Sequence, residues 1–165
     1  MCLAIPALVV RRLEDEDAVR GKRVVVVDDG PTITHGGMAY GAGFVAAAQA
    51  GAGEIVDPWR AAVGRMAELR TAYPHLDKVL PAMGYSAGDL ADLEATLNAA
   101  DADVIVAGTP VDLGRLMKLD KPVVRARYEF AEAGQPRLGD LIGDFLRSRK
   151  LLHTGEAAPA AAIED

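Results

Sequence analysis

Residues 24–37 read VVVVDDGPTITHGG, and this stretch decides the fold. Four valines in a row are typical of a strand that is buried on both faces, as in a parallel sheet. The run ends at two acids, a Gly-Pro break, two threonines, a histidine and a glycine pair. In an open α/β sheet, the loop that follows such a strand lies where ligands bind. We therefore expect a functional site in this loop.

Strand and helix patterns alternate along the rest of the chain. Such alternation predicts an α/β fold, a Rossmann-like three-layer sandwich with a mainly parallel sheet of about five strands. Right-handed crossovers would bring the loops 28–37, 57–58, 81–85 and 108–112 together at one edge of the sheet. The predicted strands are 23–27, 54–56, 78–80, 104–107 and 122–128, and the predicted helices are 38–50, 59–72, 86–100, 111–119 and 138–152.

The predicted domain runs from residue 19 to residue 153. Residues 1–18 are an N-terminal extension with a short strand at 7–10, and the Ala/Pro/Glu-rich residues 154–165 are expected to be a disordered tail.

Composition narrows the class of protein. The chain has 165 residues, half of them hydrophobic, and a formal net charge of −6. This charge argues against nucleic acid or an anionic membrane surface as the main partner, but it allows a phosphorylated ligand. One cysteine permits no intrachain disulfide and fits a reducing compartment. The apolar run 3–10 is too short to span a membrane, so we expect a cytoplasmic protein.

Asp28 and Asp29 are the first candidate catalytic residues. A carboxylate at the end of a buried strand can hold a magnesium–phosphate unit or act as a base. The alternative is ordinary turn chemistry, since Asp before Gly-Pro is common in turns. Asp29 is also the candidate Mg²⁺ ligand.

The donors that follow predict a phosphate site. Thr32, Thr34 and His35 precede the helix predicted from residue 38, and a helix N-terminus favours an anion. Gly36 and Gly37 would let a ligand approach the backbone. His35 is a candidate proton donor or phosphate contact, and hence a candidate catalytic residue.

Glycine spacing excludes one route to nucleotide binding. A P-loop needs Gly-x-x-x-x-Gly-Lys-Ser/Thr, and no segment of the sequence fits it. We therefore expect no binding and hydrolysis of a nucleoside triphosphate by that route in this chain alone. For Gly41 and Gly43 we favour helix–sheet packing as the interpretation.

A second group of candidates follows the strand 104–107. Thr109 is a potential phosphate donor, and Asp112 would either cap a helix or orient a base. Arg115 and Lys118 lie three residues apart on one helix face, where they would bind an anionic ligand or face solvent.

Three further positions have open or unremarkable interpretations. Arg125 and Arg127 lie on the same side of their strand, where they would line a phosphate site, pair with acids or bind a partner. His75 is interpreted as an ordinary surface residue.

Residues 27–43, VDDGPTITHGGMAYGAG, resemble the C-terminal region of the cyclic 2,3-diphosphoglycerate synthetase family, also described as predicted GTPases. The similarity covers roughly residues 19–146. Members of that family are usually longer, and their earlier part carries a P-loop domain. The named enzyme uses ATP to close an intramolecular phosphoanhydride in 2,3-bisphosphoglycerate. The further matching motifs, in the same order, are EIVDP (54–58), KVLPAMGY (78–85), GTPVDL (108–113) and KPVVRARYE (121–129).

This resemblance implies a stand-alone C-terminal domain, part of an ATP- or GTP-dependent ligase or synthetase. The domain would bind a phosphorylated small molecule for nucleotide-dependent phosphoryl transfer or ligation, with Mg²⁺. ATP or GTP would bind only through a separate P-loop partner protein. The alternative is a non-catalytic regulatory or assembly module that binds an anion or a protein.

Residues 1–6, MCLAIP, resemble the opening of the small hydrogenase-maturation chaperones, whose second-position cysteine is functional. A shared role would make Cys2 an exposed, metal-directed thiol. The alternatives are a chance match and a gene-fusion remnant.

Overall fold

The computed structural model describes residues 7–82, 86–132, 134–149 and 151. Residues 11–129 form one compact unit, and residues 7–10 with the described residues after 129 belong to a second. The predictions for Cys2, for the hexapeptide 1–6 and for the tail 154–165 fall outside the described residues.

The described residues form six strands and six α-helices, and strands alternate with helices from β3 onward. No helix among them is long and apolar enough to cross a membrane. The strands are β1 (Ala7–Leu13), β2 (Arg23–Asp29), β3 (Glu54–Ile55), β4 (Leu80–Ala82), β5 (Val104–Gly108) and β6 (Val123–Glu132). The helices are α1 (Gly30–His35), α2 (Ala42–Gln49), α3 (Gly64–Ala72), α4 (Ala87–Ala99), α5 (Leu113–Leu116) and α6 (Leu138–Ser148).

The strands form a six-stranded, mainly parallel sheet, which confirms the predicted architecture. Its order is β1-β6-β5-β2-β3, and β4 also pairs with β2. Strand β2 is parallel to β3, β4 and β5, and β5 is parallel to β6. Strand β3 pairs near the start of β2 and β4 pairs near its end. The carboxyl end of β2 therefore lies between those of β4 and β5.

The four valines of β2 divide the core into two layers. Val24 and Val26 pack in one apolar cluster with Ala46 of α2. Val25 and Val27 pack in the other, which contains residues of α3 and α4. All four side chains are fully buried, which is the reason for the unbroken valine run. Helices on both faces of the sheet make the predicted three-layer sandwich.

The segment after β2 differs from the sequence prediction. Gly30–His35, expected as a loop, forms α1 with Pro31 in its first turn, where proline fits because its missing N–H has no partner there. Helix α2 begins at Ala42 rather than at residue 38. Gly37 has a φ of +63°, which interrupts helical geometry between α1 and α2.

The predicted helix 59–72 is also divided. A 3₁₀ turn spans Pro58–Arg60, and α3 begins at Gly64. Between them Val63 is extended, with φ −124° and ψ 160°, so one continuous helix cannot form.

One of the four loops expected at the carboxyl edge lies elsewhere. Because β3 has only two residues and pairs with Arg23 and Val24, the loop after β3 lies beside the amino-terminal half of β2 and does not reach its carboxyl end. Asp57 lines a cavity of about 570 Å³ together with Arg23, Glu54 and Asp101, which lie at the amino ends of the strands. The expected position of the 57–58 loop was therefore wrong.

Candidate functional site at the carboxyl edge of the sheet

Asp28 ends the buried part of β2, and its carboxylate is fully enclosed. Its Oδ1 accepts a hydrogen bond from the Gly43 amide at 2.6 Å, and its Oδ2 accepts from the Gly41 and Phe44 amides at 2.8 and 3.4 Å. Burial raises the pKa of Asp28 above its usual value of 3.8, and the three amides act in the opposite direction. The carboxylate therefore fastens the start of α2 to the sheet.

The glycines around Asp28 leave no room for a side chain. A Cβ on Gly43 would lie 2.8 Å from Asp28 Oδ1 and 3.0 Å from the Gly108 Cα atom. A Cβ on Gly41 would lie 2.9 Å from Asp28 Cγ. This confirms helix–sheet packing as the reason for Gly41 and Gly43. The catalytic role expected for Asp28 stays a prediction, and the geometry gives its carboxylate a structural role.

Asp29 differs from its neighbour because it is only half-buried. Thr32 Oγ1 donates to Asp29 Oδ2 at 2.8 Å. Thr34 Oγ1 donates to the Gly30 carbonyl at 2.7 Å and lies 3.1 Å from His35 Nδ1. The structure thus brings the acid, the two hydroxyls and the imidazole onto one short helix, with Thr32 and His35 exposed.

The expected reason for anion binding in this segment was wrong. The hydroxyls and the imidazole lie within α1 and do not precede a helix N-terminus. At the start of α2, Asp28 already accepts from two amides of that helix, Gly43 and Phe44. Gly36 ends α1, and Gly37 turns the chain back toward Asp28. Phosphate binding by these residues stays a prediction, now resting on side chains.

Three neighbouring strands place polar side chains on one face of the sheet. Because side chains alternate along a strand, Asp29 lies on the face of Val25 and Val27, toward α3 and α4. Thr109 follows β5 on the same face as Ile105 and Ala107. On β6, Val124 and Ala126 face α2, so Arg125 and Arg127 lie on the opposite face, with Asp29 and Thr109.

Strand register sets these groups side by side. Asp28 lies opposite Gly108, and Ala107 lies opposite Arg125. The next residues along each strand therefore place Asp29, Thr109 and Arg127 in a row with steps of about 5 Å between neighbouring strands.

A cavity of about 340 Å³ lies at the arginine end of this row. Arg125 Nη2 donates to the Pro110 carbonyl at 3.0 Å. Arg127 Nε donates to Glu14 Oε1 at 2.7 Å, and Arg127 Nη2 forms an ion pair with the same oxygen at 2.5 Å. These bonds hold each guanidinium on one side, and its other N–H groups take no part in them. The cavity is lined by Thr109, Pro110, Arg125, Ala126, Arg127 and Tyr128.

The predicted phosphate contacts after β5 differ in whether they line that cavity. Thr109 is buried, and its Oγ1 accepts from the Val111 amide at 3.3 Å. Asp112 begins α5 and pairs with Arg115 at 3.3 Å, although the Arg115 side chain is largely exposed. Lys118 is exposed, and its main-chain amide donates to Glu94 of α4. Only Thr109 of this group lines the cavity.

Two residues have contacts that sequence patterns did not predict. His75 was expected to be an ordinary surface residue, but its Nε2 donates to the Ile33 carbonyl of α1 at 2.8 Å. The pairing of Arg127 with Glu14 joins positions 113 residues apart, so no local pattern shows it. The signal that did exist was the alternation of Arg125 and Arg127 with apolar residues.

A magnesium ion has one suitable ligand at this edge. No group of three or more His, Cys, Asp or Glu in the described ranges could hold a metal. Magnesium, however, is commonly bound by one or two carboxylates together with substrate phosphates and water. Asp29 fits that role better than Asp28, because both oxygens of Asp28 face backbone amides.

The comparisons with known proteins point to a synthetase. The chain is 53% identical over 136 residues to the arginine synthetase ArcE of Thermococcus kodakarensis. The match covers 82% of this chain and 30% of that protein, so the chain spans less than a third of its curated relative. No family model and no solved structure matches the chain. The chain is thus similar over most of its length to one part of a synthetase.

Proposed function

We propose that this chain is the substrate-binding domain of a synthetase. It binds a phosphorylated small molecule at the carboxyl edge of the sheet, for nucleotide-dependent phosphoryl transfer or ligation. A separate P-loop protein binds ATP or GTP. The observation that carries the proposal is the 53% identity to an arginine synthetase over 82% of this chain.

The match leaves most of the relative uncovered. About 70% of the length of ArcE lies outside the match. This chain has no P-loop sequence. Members of the cyclic 2,3-diphosphoglycerate synthetase family, which its motifs resemble, carry a P-loop in their earlier part. We infer that these residues are the counterpart of the family's C-terminal region and that the nucleotide binds outside them.

The geometry supports the choice of edge. Asp29 ends β2, and Thr32 and His35 follow it in α1. Thr109 follows β5, and the two arginines lie on β6, on the same face of the sheet as Asp29. The exposed imidazole and hydroxyl of α1, next to the half-buried Asp29 carboxylate, are suited to a phosphorylated ligand with Mg²⁺. In this proposal Asp29 holds the ion and His35 donates to a phosphate oxygen. Thr32 and Thr34 donate to phosphate oxygens only when their hydroxyls leave Asp29 Oδ2 and the Gly30 carbonyl. A bound Mg²⁺ would supply charge compensation for those oxygens.

The direct test is calorimetric titration of the chain, in the presence of Mg²⁺, with 2,3-bisphosphoglycerate. We expect saturable binding that His35→Ala and Thr32→Ala each weaken, since both side chains are exposed and neither is needed for the core. Lys78→Ala is the matched control, because Lys78 is an exposed cation at the amino-end cavity.

Two results would contradict the proposal. One is the absence of saturable binding, which would instead favour a non-catalytic, protein-binding module. The other is binding that the His35 and Thr32 variants leave unchanged, which would place the ligand away from α1.

A further inference from the structure

We infer that the cavity beside Arg125 binds the carboxylate of an amino-acid substrate. The inference deepens the proposed function by naming a substrate class, and it rests on that function for the identification of a synthetase. The site differs from the predicted phosphate contacts, because it involves β6 and not α1.

The two arginines differ in whether a carboxylate compensates their positive charge. Arg127 forms a hydrogen-bonded ion pair with Glu14, so its charge is compensated. Arg125 is held by the Pro110 carbonyl, which is neutral. Among the ion pairs of the described side chains, a set without residues 129–132, none involves Arg125. The described lining of the cavity therefore carries one net positive charge, which a singly charged carboxylate would balance and a doubly charged phosphate would exceed.

The donors that remain at the cavity are sufficient in number for a carboxylate. Arg125 uses one N–H of Nη2 for Pro110, and the rest of its planar fork can meet two carboxylate oxygens. Thr109 Oγ1 accepts from the Val111 amide, so its hydroxyl hydrogen stays able to donate. Because Pro110 holds the guanidinium already, less side-chain entropy is lost when the ligand binds.

The volume of the cavity and its position next to Asp29 and α1 favour an amino acid over a larger acid. A cavity of about 340 Å³ lies at the lower end of the range for small-molecule sites. The register places Thr109 between Arg127 and Asp29, so a ligand held at Arg125 extends toward Asp29 and α1. An α-carboxylate would then lie at the arginine end, and the reacting end of the molecule would lie near the predicted phosphate contacts. An amino acid is also the product class in the name of the relative.

The test compares two ligands that differ by one carboxylate. L-arginine and its decarboxylated counterpart agmatine are titrated into the intact chain by calorimetry. We expect L-arginine to bind at least tenfold more tightly than agmatine. Arg125→Ala should weaken L-arginine binding by about 10- to 100-fold and remove the preference, since a hydrogen bond to a charged group contributes about that factor. Arg125→Lys should restore only part of it, because lysine lacks the planar fork.

Arg60→Ala is the matched control. Arg60 is an exposed, ion-paired arginine at the amino-end cavity, and its loss should leave both affinities unchanged. The inference is overturned if L-arginine does not bind, if agmatine binds as well, or if Arg125→Ala keeps the preference. Loss of bisphosphoglycerate binding with the arginine preference intact would refute the phosphate part of the proposed function alone.

Discussion

Gly108→Ala should be among the most damaging single-methyl additions in this chain. Gly108 ends β5 at the point where the start of α2 touches the sheet. An added Cβ would overlap Asp28 Oδ1 and lie 2.5 Å from the Gly43 amide nitrogen. Both neighbours are fixed, one as a fully buried carboxylate and the other as backbone, so neither can rotate away.

The expected loss of stability follows from these distances. Normal van der Waals contact requires α2 to move from β5 by about 1 Å. That movement would stretch the 2.6 Å bond between Asp28 Oδ1 and the Gly43 amide beyond hydrogen-bonding range. Overpacking costs about 1–3 kcal/mol, and a lost bond to a buried charge adds about 1.5–3 kcal/mol. We therefore expect the free energy of unfolding to fall by about 3–5 kcal/mol.

Urea unfolding followed by the fluorescence of Trp59, the one tryptophan of the chain, measures this loss. The midpoint should fall by about 2 M, given typical urea slopes. Gly88→Ala is the control, since Gly88 lies in the exposed first turn of α4 and its nearest neighbour would be Ser86 Oγ at 3.9 Å. That variant should gain about 0.5–1 kcal/mol. A Gly108→Ala protein within 1 kcal/mol of the parent would refute the packing argument.

Three further predictions test the elements that support the site. Because burial raises the pKa of Asp28, its carboxyl should titrate above pH 3.8 in a carbon-13 NMR experiment. The contribution of Asp28 to the free energy of unfolding should therefore be complete below pH 3.8 and fall as the pH rises through the folded-state pKa. A midpoint at or below 3.8 would mean that the amide bonds outweigh burial. His75→Phe should cost about 1 kcal/mol and speed hydrogen exchange in α1, because the Ile33 carbonyl loses its partner; unchanged exchange would contradict this. Ser86→Ala should cost about 1 kcal/mol in urea unfolding, because Ser86 Oγ accepts from the Asp89 amide at the start of α4; an unchanged midpoint would show that this cap is dispensable.

The layers of the fold could be predicted because hydrophobic patterns report burial. The apolar runs of β2 and β5 indicate only one kind of element, a parallel strand buried on both faces. Such a strand needs helices on both sides of the sheet. Helix α1 could not be predicted, because Gly30-Pro31 indicates a chain break as readily as a helix start. The division of the predicted helix 59–72 at Val63 had no sequence signal of comparable strength.

Sequence patterns placed the candidate residues at the carboxyl edge of the sheet, but they did not predict the contacts of those residues. Adjacent acids after a buried strand gave no indication that Asp28 would accept backbone amides while Asp29 remained half-buried. The difference arises from alternation, which turns Asp28 toward α2 and Asp29 toward α3 and α4. The roles of Arg125 and Arg127 stayed open because their acceptors, Pro110 and Glu14, are set by tertiary pairing.

Reassembly of a divided synthetase tests the central claim most directly. The T. kodakarensis arginine synthetase ArcE, with the segment that matches this chain removed, is mixed with this chain under conditions in which intact ArcE makes arginine. Our account predicts that the shortened protein is inactive alone, forms a complex with this chain and makes arginine again. A shortened protein that stays inactive and forms no complex with this folded chain would contradict the claim that it is a domain working with a separate nucleotide-binding partner.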